Sequence, residues 1–377
     1  METQEAWAQF LNTTILPARL EQVSALHQYY RDNKETIVEG IVSLLDEVCQ
    51  EAVFKQGYNT LQACTQIRFS LLRTSLLEGK LEYVVEALDE SSSDFYQVTR
   101  FKYHADWLYP YYERWNQFCH SELKRYMGVL KPWFYELWQS KELFSFLTYA
   151  IHAIRYATSK FEELPSFQAL QLGEEFELIV GEYGDILLGE SVYCCTSNQR
   201  TEKDVLHWLD AQLPHSYGYG HLANLDLSGL DCGGITMNYA RLHQINLTNS
   251  TWSYASLIGN RFHACEAVGI DFTASLLFDA DFSNSVLIGA NFDEVIAPLD
   301  ALNEEDAVYF GIYPVSFMNA DLTNASFQDA TIAADFRGAN LDGVNFQGAD
   351  MTGSLMLRQD EMRVNLTPAQ RLVMRWS

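Results

Sequence analysis

Lysine disappears from this sequence after Lys203, and basic residues are scarce throughout. Only 25 Lys and Arg stand against 50 Asp and Glu in 377 residues, a formal net charge of -25. That imbalance argues against a chain that binds nucleic acid directly or sits on an anionic membrane, and leaves a basic partner or simple solubility. Cysteine is sparse too: seven residues, an odd number without framework spacing, argue against a disulfide scaffold and fit a reducing compartment. No basic region followed by an apolar stretch opens the chain, and the longest apolar run, Leu143 to Ile154, is too short to cross a bilayer. No transmembrane segment is expected, and the expected location is a cytoplasm.

The chemistry of an enzyme is missing as well. His207, His215 and His221 are spaced by eight and six residues, which matches no zinc pattern. Cys194 and Cys195 are adjacent but read as half-buried thiols, and Glu174, Glu175 and Glu177 read as a solvated face. No glycine-rich phosphate loop, nucleophile elbow or kinase motif occurs. The expectation is therefore no catalytic residue, no cofactor and no metal, in a chain that is not an enzyme.

What is present divides near residue 216. Up to about residue 215 the pattern is helical and aromatic, with helices expected around 19–31, 35–56, 60–80, 111–129, 133–158 and 202–213. Over Thr60–Lys80 the expected face is Leu61, Cys64, Ile67, Leu71 and Leu72, with Thr60 as cap and Gly79 as terminator. The segment Phe176–Cys195 is ambiguous and admits short strands. Tyr103–Trp138, dense in aromatics, reads as bulky helical core before ligand pocket or membrane-facing surface. Pro214–His221 reads as a linker.

Beyond it a large apolar residue recurs every five positions. Fourteen stay in phase from Leu227 to Phe292, and only Ala267 among them is small. Two residues earlier runs a second, mostly small column from Leu225 to Ala290, with Asn260 its polar misfit. Five residues advance an α-helix by about 500°, so a helical stripe would wind out of register. Phase held this long means that each unit meets an equivalent environment, as in a solenoid. Cys232 and Cys265 fall in the inward columns and read as core.

The units "ANLDL", "ADFSN", "ANFDE", "ADLTN" and "ANLDG" resemble the signature of pentapeptide-repeat proteins, over roughly residues 222 to 356. The resemblance implies a right-handed quadrilateral β-helix with four pentapeptides per coil. The expected class is a two-domain α+β chain: an all-α aromatic-rich helical domain (1–215), the β-helix (216–357) and a C-terminal capping helix (358–377). The resemblance also implies a bacterial protein, delivery into a host cell as a secreted effector being one version.

Two breaks interrupt the repeat. Around 294–315 the phase lapses into a loop whose Asp300, Glu304, Glu305, Asp306, Tyr309, Phe310 and Tyr313 read as a partner-binding surface. From Ile332 to Phe336 the step is four, which predicts an irregular corner. In the tail, Thr367, Pro368 and Gln370 carry a helix-start signature. Leu372, Val373 and Trp376 are then expected to cover the end of the tube or to form a homodimer interface.

Acidity is densest in the repeat, with 17 acids against 3 Arg from residue 216 to 357. Asp226, Asp231, Asp271, Asp281, Asp321, Asp335 and Asp350 read as an acidic β-helix face, although each also occupies the motif's own Asp/Asn position. Outside the loop, 13 acids on a tube about 27 Å long give roughly 2 Å of axis per carboxylate, against roughly 1.7 Å per charge in duplex DNA. The main expectation is a non-enzymatic protein-binding scaffold or effector. The alternative, implied by resemblance to quinolone-resistance pentapeptide proteins, is a DNA mimic that binds a type II topoisomerase.

Overall fold

The computed structural model describes residues 3–89, 100–126, 128–161, 163–196, 201–211, 217–299 and 312–377. The chain forms two compact units, Met1–Asn198 and Gln199–Ser377.

The first unit opens with helix α1 (Thr3–Phe10), a π-helical turn (Leu11–Ile15) and the long helix α2 (Leu16–Gly57). Pro17 has no N–H and its ring crowds the carbonyl of the preceding turn, so a π turn just before it is the local accommodation. The helices expected at 19–31 and 35–56 are thus one. After α2 come β1 (Cys64–Leu71), β2 (Glu82–Asp89), β3 (Phe101–His104), α3 (Tyr109–Leu123), α4 (Pro132–Phe161), α5 (Pro165–Ala169), β4 (Leu172–Glu182) and β5 (Asp185–Thr196). The strands form a mixed sheet in the order β3-β2-β1-β4-β5, with β1 parallel to β4 and the other pairs antiparallel.

This sheet corrects the all-α expectation for the first unit, and with it the helix expected at Thr60–Lys80. Ile67, Phe69 and Leu71 alternate with Gln66, Arg68 and Ser70, and that period of two prevails over the weaker 3.6-residue spacing. Thr60 caps nothing downstream; its N–H and hydroxyl both donate to the Lys55 carbonyl and close the end of α2. Gly79 does act as a terminator, at φ +76° after a 3-10 turn (Arg73–Glu78). The aromatic stretch is largely core: Trp115 is fully buried beside Tyr112, Tyr135 and Phe146, and its indole N–H donates to the Ile15 carbonyl at 3.2 Å.

The second unit is a four-sided parallel β-helix. Bridges join residues twenty apart, such as Asp226 to Asn246, Asp231 to Thr251 and Thr236 to Ser256, so four pentapeptides make one coil. The large column points inward on every side. Phe262, Phe282, Phe317 and Phe336 stack face to face along one side, and Phe272, Phe292, Phe327 and Phe346 along the opposite one. The two stacks meet edge to face across the tube, for example Phe282 on Phe292 at 5.7 Å and 81°. Polar members of the small column are acceptors for the neighbouring rung: Asn260 Oδ1 takes the Ala240 N–H at 2.8 Å, and the hydroxyls of Ser275 and Ser285 take those of Ala255 and Cys265.

The period of five has a backbone cause. A left-handed residue recurs at every fifth position from Tyr219 to Glu294, at Asn319, Asn324 and Asp329, and at Gly338, Gly343, Gly348 and Gly353. Each lies two residues after an inward large residue and turns the corner. Where the step is four, from Ile332 to Phe336, that left-handed residue is the one missing, and the buried Ala333 and Ala334 make a tighter corner. Bridge spacing accordingly falls to nineteen, as in Asp321 to Asn340. Across the loop it rises to thirty-five, as in Asn291 to Ser326, an excursion of fifteen residues beyond a regular coil. Ala274 holds φ +56° with its side chain half-exposed. Ala274→Gly is expected to stabilise the second unit by roughly 0.5–1 kcal/mol, read as a higher melting temperature, because glycine carries no Cβ penalty in that conformation.

Both ends of the tube are closed. At the start, helix α6 (Glu202–Asp210), held by a capping box between Thr201 and Asp204, places Val205 and Leu209 in the same core as the coils. Of the stretch expected to be a linker, the residues from Tyr217 on are already coil: Tyr217 is buried in that core, the Tyr219 N–H donates to Asn238 O, and Gly220 O accepts from Arg241. At the end, α7 (Pro368–Val373) begins at the expected capping box of Thr367 and Gln370. Gln370 is buried, and its amide also donates to Phe346 O and Ala349 O at 2.7 and 2.9 Å. Arg375–Trp376 then pairs in parallel with Leu355–Met356 as a last rung.

Candidate functional site: the charged sides of the solenoid

The seven carboxylates expected to form an acidic face have one local job in common. Each accepts a hydrogen bond from the backbone N–H two residues on or from that residue's side chain. The backbone bond runs to Asp226 from Ser228 at 3.0 Å, to Asp271 from Thr273 at 3.0 Å, to Asp321 from Thr323 at 3.1 Å and to Asp350 from Thr352 at 3.0 Å. Asp231, Asp281 and Asp335 do the same for Gly233, Ser283 and Arg337. Asn246, Asn291 and Asn345 make the identical bond, so the position asks for a side-chain acceptor rather than a charge. The bonds from Ser228 hold the Asp226 carboxyl below its usual range. Asp271→Asn should therefore leave the melting temperature nearly unchanged, whereas Asp271→Ala should destabilise by about 1 kcal/mol through the orphaned Thr273 N–H. Equal losses from both would show that charge, not acceptance, is what the corner needs.

These residues do not share a face, which corrects the expectation. Bridge register puts Asp281 and Asp335 on the first side, Asp226 and Asp321 on the second, Asp231 and Asp271 on the third and Asp350 on the fourth. The reason is the coil itself: consecutive motif positions lie on consecutive sides, and only residues about twenty apart stack.

That same rule gathers residues that the motif reading passed over. On the first side His221, Arg241 and Arg261 are direct register partners on three successive rungs, and His243 pairs with His263 two residues along. The two imidazoles stack at 5.4 Å and 13°. Here the strands are three residues long, β6 (His221–Ala223), β7 (Arg241–His243) and β8 (Arg261–His263), where most rungs of the other sides make single bridges. The signal was available in the sequence as a spacing of twenty between like residue types. Arg337, the third arginine of the repeat, is held by Asp335 at 2.6 Å.

Of the loop residues, Asp300, Glu304, Glu305, Asp306, Tyr309 and Phe310 lie outside the described residues. Tyr313 lies where the chain rejoins the coil, its N–H donating to Asp279 Oδ1 at 2.6 Å. In the tail, Leu372 is 86% and Val373 40% exposed, so they do not close the tube. Val364, Leu366 and Met374 are buried there instead, with Trp376 partly packed against the core. Helix α7 is only six residues long, and Leu372 and Val373 fall on its outer side.

In the first unit, α4 carries Trp133, Leu137 and Phe144 on one exposed stripe, 52%, 64% and 51% accessible. Cys194 and Cys195 are half-buried, while Cys232 and Cys265 lie in the solenoid core, where burial pushes their thiols up to about 12 and about 11. Among the described residues no group of three or more His, Cys, Asp or Glu is placed to hold a metal ion, and no helix is long and apolar enough to cross a membrane.

A stacked, four-sided coil of five-residue units defines a class of solenoid. Residues 316–356 match the model of pentapeptide repeats in eight copies, and the C-terminal region thus matches the pentapeptide-repeat family, the N-terminal part remaining unmatched. Solved structures similar to this chain include HetL, a pentapeptide-repeat protein involved in heterocyst differentiation regulation from the cyanobacterium Nostoc sp. strain PCC 7120. It is 20% identical over 42% of this chain and 81% of its own, with a TM-score of 0.20. A pentapeptide-repeat protein of the Arabidopsis thaliana thylakoid lumen is 23% identical over 39% of this chain and 72% of its own, TM-score 0.16. Trypsin-treated QnrB1, a plasmid-mediated fluoroquinolone resistance protein, is 13% identical over 42% and 83%, TM-score 0.21. No curated protein sequence matches the chain.

Proposed function

We propose that the protein is a non-enzymatic binding protein in which the aromatic first unit and the charged solenoid each offer a surface to a protein partner. The observation that carries this reading is the rigid array of side chains on the solenoid, carboxylates tied into corners on four sides and cations aligned on one. A fixed array of charge recognises a partner without reorganising, which suits specificity and fast encounter. The exposed stripe of Trp133, Leu137 and Phe144 supports a second surface. The exposed Leu372 and Val373, beside Trp376, are candidates for contact with a second copy. Delivery as an effector is one setting for such a scaffold.

The second reading is a DNA mimic that occupies the DNA-binding surface of a type II topoisomerase. The pentapeptide match, with the resemblance of the repeat units to quinolone-resistance pentapeptide proteins, supports this form more directly than a general scaffold. The density of carboxylates along the tube points the same way. The loop acids Asp300, Glu304, Glu305 and Asp306 are then the first candidates for contact.

The test is supercoiling by bacterial DNA gyrase, with and without a quinolone, as the full chain is titrated. Inhibition or protection at low micromolar concentration, weakened by salt and by Glu304→Gln, Glu305→Gln and Asp306→Asn together, is the outcome expected of a mimic. No effect leaves the scaffold reading ahead, and turnover of a small substrate in an activity panel would sink both.

A further inference from the structure

We infer that the first three turns of α4 pair in parallel with the same turns of a second copy of this chain, an inference that rests on the protein-binding reading and names the occupant of the first unit's surface. Trp133, Leu137, Ser140 and Phe144 stand at i, i+4, i+7 and i+11, the spacing of a coiled-coil seam. The same line continues through Leu147 and Ile151, which are buried within the first unit. Before them it is open: Trp133, Leu137 and Phe144 are each half-exposed or more, and Ser140 is exposed. One helix thus carries one seam, covered along its later part and solvent-facing along its first turns.

The charges beside the seam select the occupant and its direction. With Leu137 and Phe144 at a positions and Trp133 and Ser140 at d, Glu136 falls at g and Lys141 at e, one on each flank and both exposed. In a parallel, in-register pair, g of one helix faces the e position five residues on in the other. Glu136 then meets Lys141 of the second copy, and Lys141 meets its Glu136, two ion pairs from one symmetric contact. An antiparallel pair brings like flanks together, Glu136 beside Glu136 and Lys141 beside Lys141, which repel. An anionic lipid surface is disfavoured by Glu136 on the rim. Lys141 Nζ rests 5.6 Å from the Trp138 ring centroid, a loose contact that leaves its N–H donors to a carboxylate. Ser140 supplies a small layer that lets the helices approach, and its hydroxyl donates to the Glu136 carbonyl at 3.3 Å, so covering it strands no donor. Half-exposed aromatic side chains bring roughly 100 Å² each. With Leu137 and the flanks, the two copies together bury on the order of 1,000 Å², the lower edge for a specific interface, which makes the dimer a weak, reversible one.

Sedimentation velocity of the full-length protein from about 1 to 100 µM tests this. Reversible dimerisation is expected, weakened at least about tenfold by Leu137→Asp and by Glu136→Lys or Lys141→Glu alone, and unchanged by Phe54→Ser, which alters an equally exposed ring on α2. Each charge variant sets like signs at both contacts of its own homodimer, whereas the two mixed in equal amounts restore opposite signs at both. The mixture should therefore dimerise at close to the wild-type affinity. Circular dichroism of each variant separates lost pairing from misfolding. Dimers that survive Leu137→Asp overturn the seam. Single charge variants that pair as well as the wild type, or a mixture that pairs much more tightly than it, overturn the parallel direction. A protein that stays monomeric to about 100 µM overturns the inference, while the gyrase titration and substrate panel judge the broader reading independently.

Discussion

Phe292→Ala is expected to destabilise the second unit by about 3–5 kcal/mol, the range for a large buried aromatic cut back to a methyl group. Phe292 is fully buried and sits between Phe272 at 5.2 Å and Phe327 at 4.8 Å in its own stack. It also meets the edges of Phe282 and Phe317 from the opposite stack. Removing it therefore opens a void and cancels four ring contacts, each worth roughly 0.5–1.5 kcal/mol beyond area. The void cannot collapse easily, because bridges fix the rungs on either side: Asn291 pairs with both Asp271 and Ser326. Phe144→Ala in the first unit, half-exposed on α4, should cost far less. Urea unfolding monitored by far-ultraviolet dichroism checks the difference. A loss below 1 kcal/mol for Phe292→Ala would mean that the coils tolerate gaps and that the aromatic stacks are not what holds them.

The second large effect concerns the end of the tube. A fragment from residue 199 to 377 should fold, whereas one starting at 216 should melt substantially lower and associate. Helix α6 contributes Val205 and Leu209 to the core, and Trp208 packs on Tyr217 at 4.7 Å. Full burial of such side chains is worth about 1.5–3 kcal/mol each, so losing the cap costs on the order of 3–6 kcal/mol. It also leaves an apolar coil face and unpaired strand edges open to a second chain. Sedimentation and thermal melting of the two fragments decide the matter. Equal stability and a monomeric shorter fragment would show that the coils seal themselves.

Reading from sequence succeeded where the constraint is periodic and local. The five-residue phase from Leu227 to Phe292, the short step after Ile332 and the capping box of Thr367 and Gln370 each depend on residues near one another in the chain. It failed where two periods competed. Cys64–Leu71 satisfied a helical stripe and an alternating one, and pairing with β2 on one side and β4 on the other chose the strand. α6 failed differently: an amphipathic helix states that it has an apolar face but not which core receives it. The site was legible only in part. Asp226 and Asp271 were found, but as members of one face, because reading by motif position ignores the side of the prism on which each unit falls.

By itself, then, the sequence determined the coil: a large residue every five, a small one two before it, an acceptor between them and a residue able or forced to take positive φ at the corner. Those demands are met within one pentapeptide, so they are written into it. Only the tertiary structure decided which pentapeptides become neighbours. Stacking at twenty residues, shifted to thirty-five across the loop and nineteen past the tight corner, disperses the carboxylates over four sides and aligns His221, Arg241 and Arg261 on one. The physical reason is that charge acts through distance in space, and the coil makes residues far apart in sequence the nearest ones.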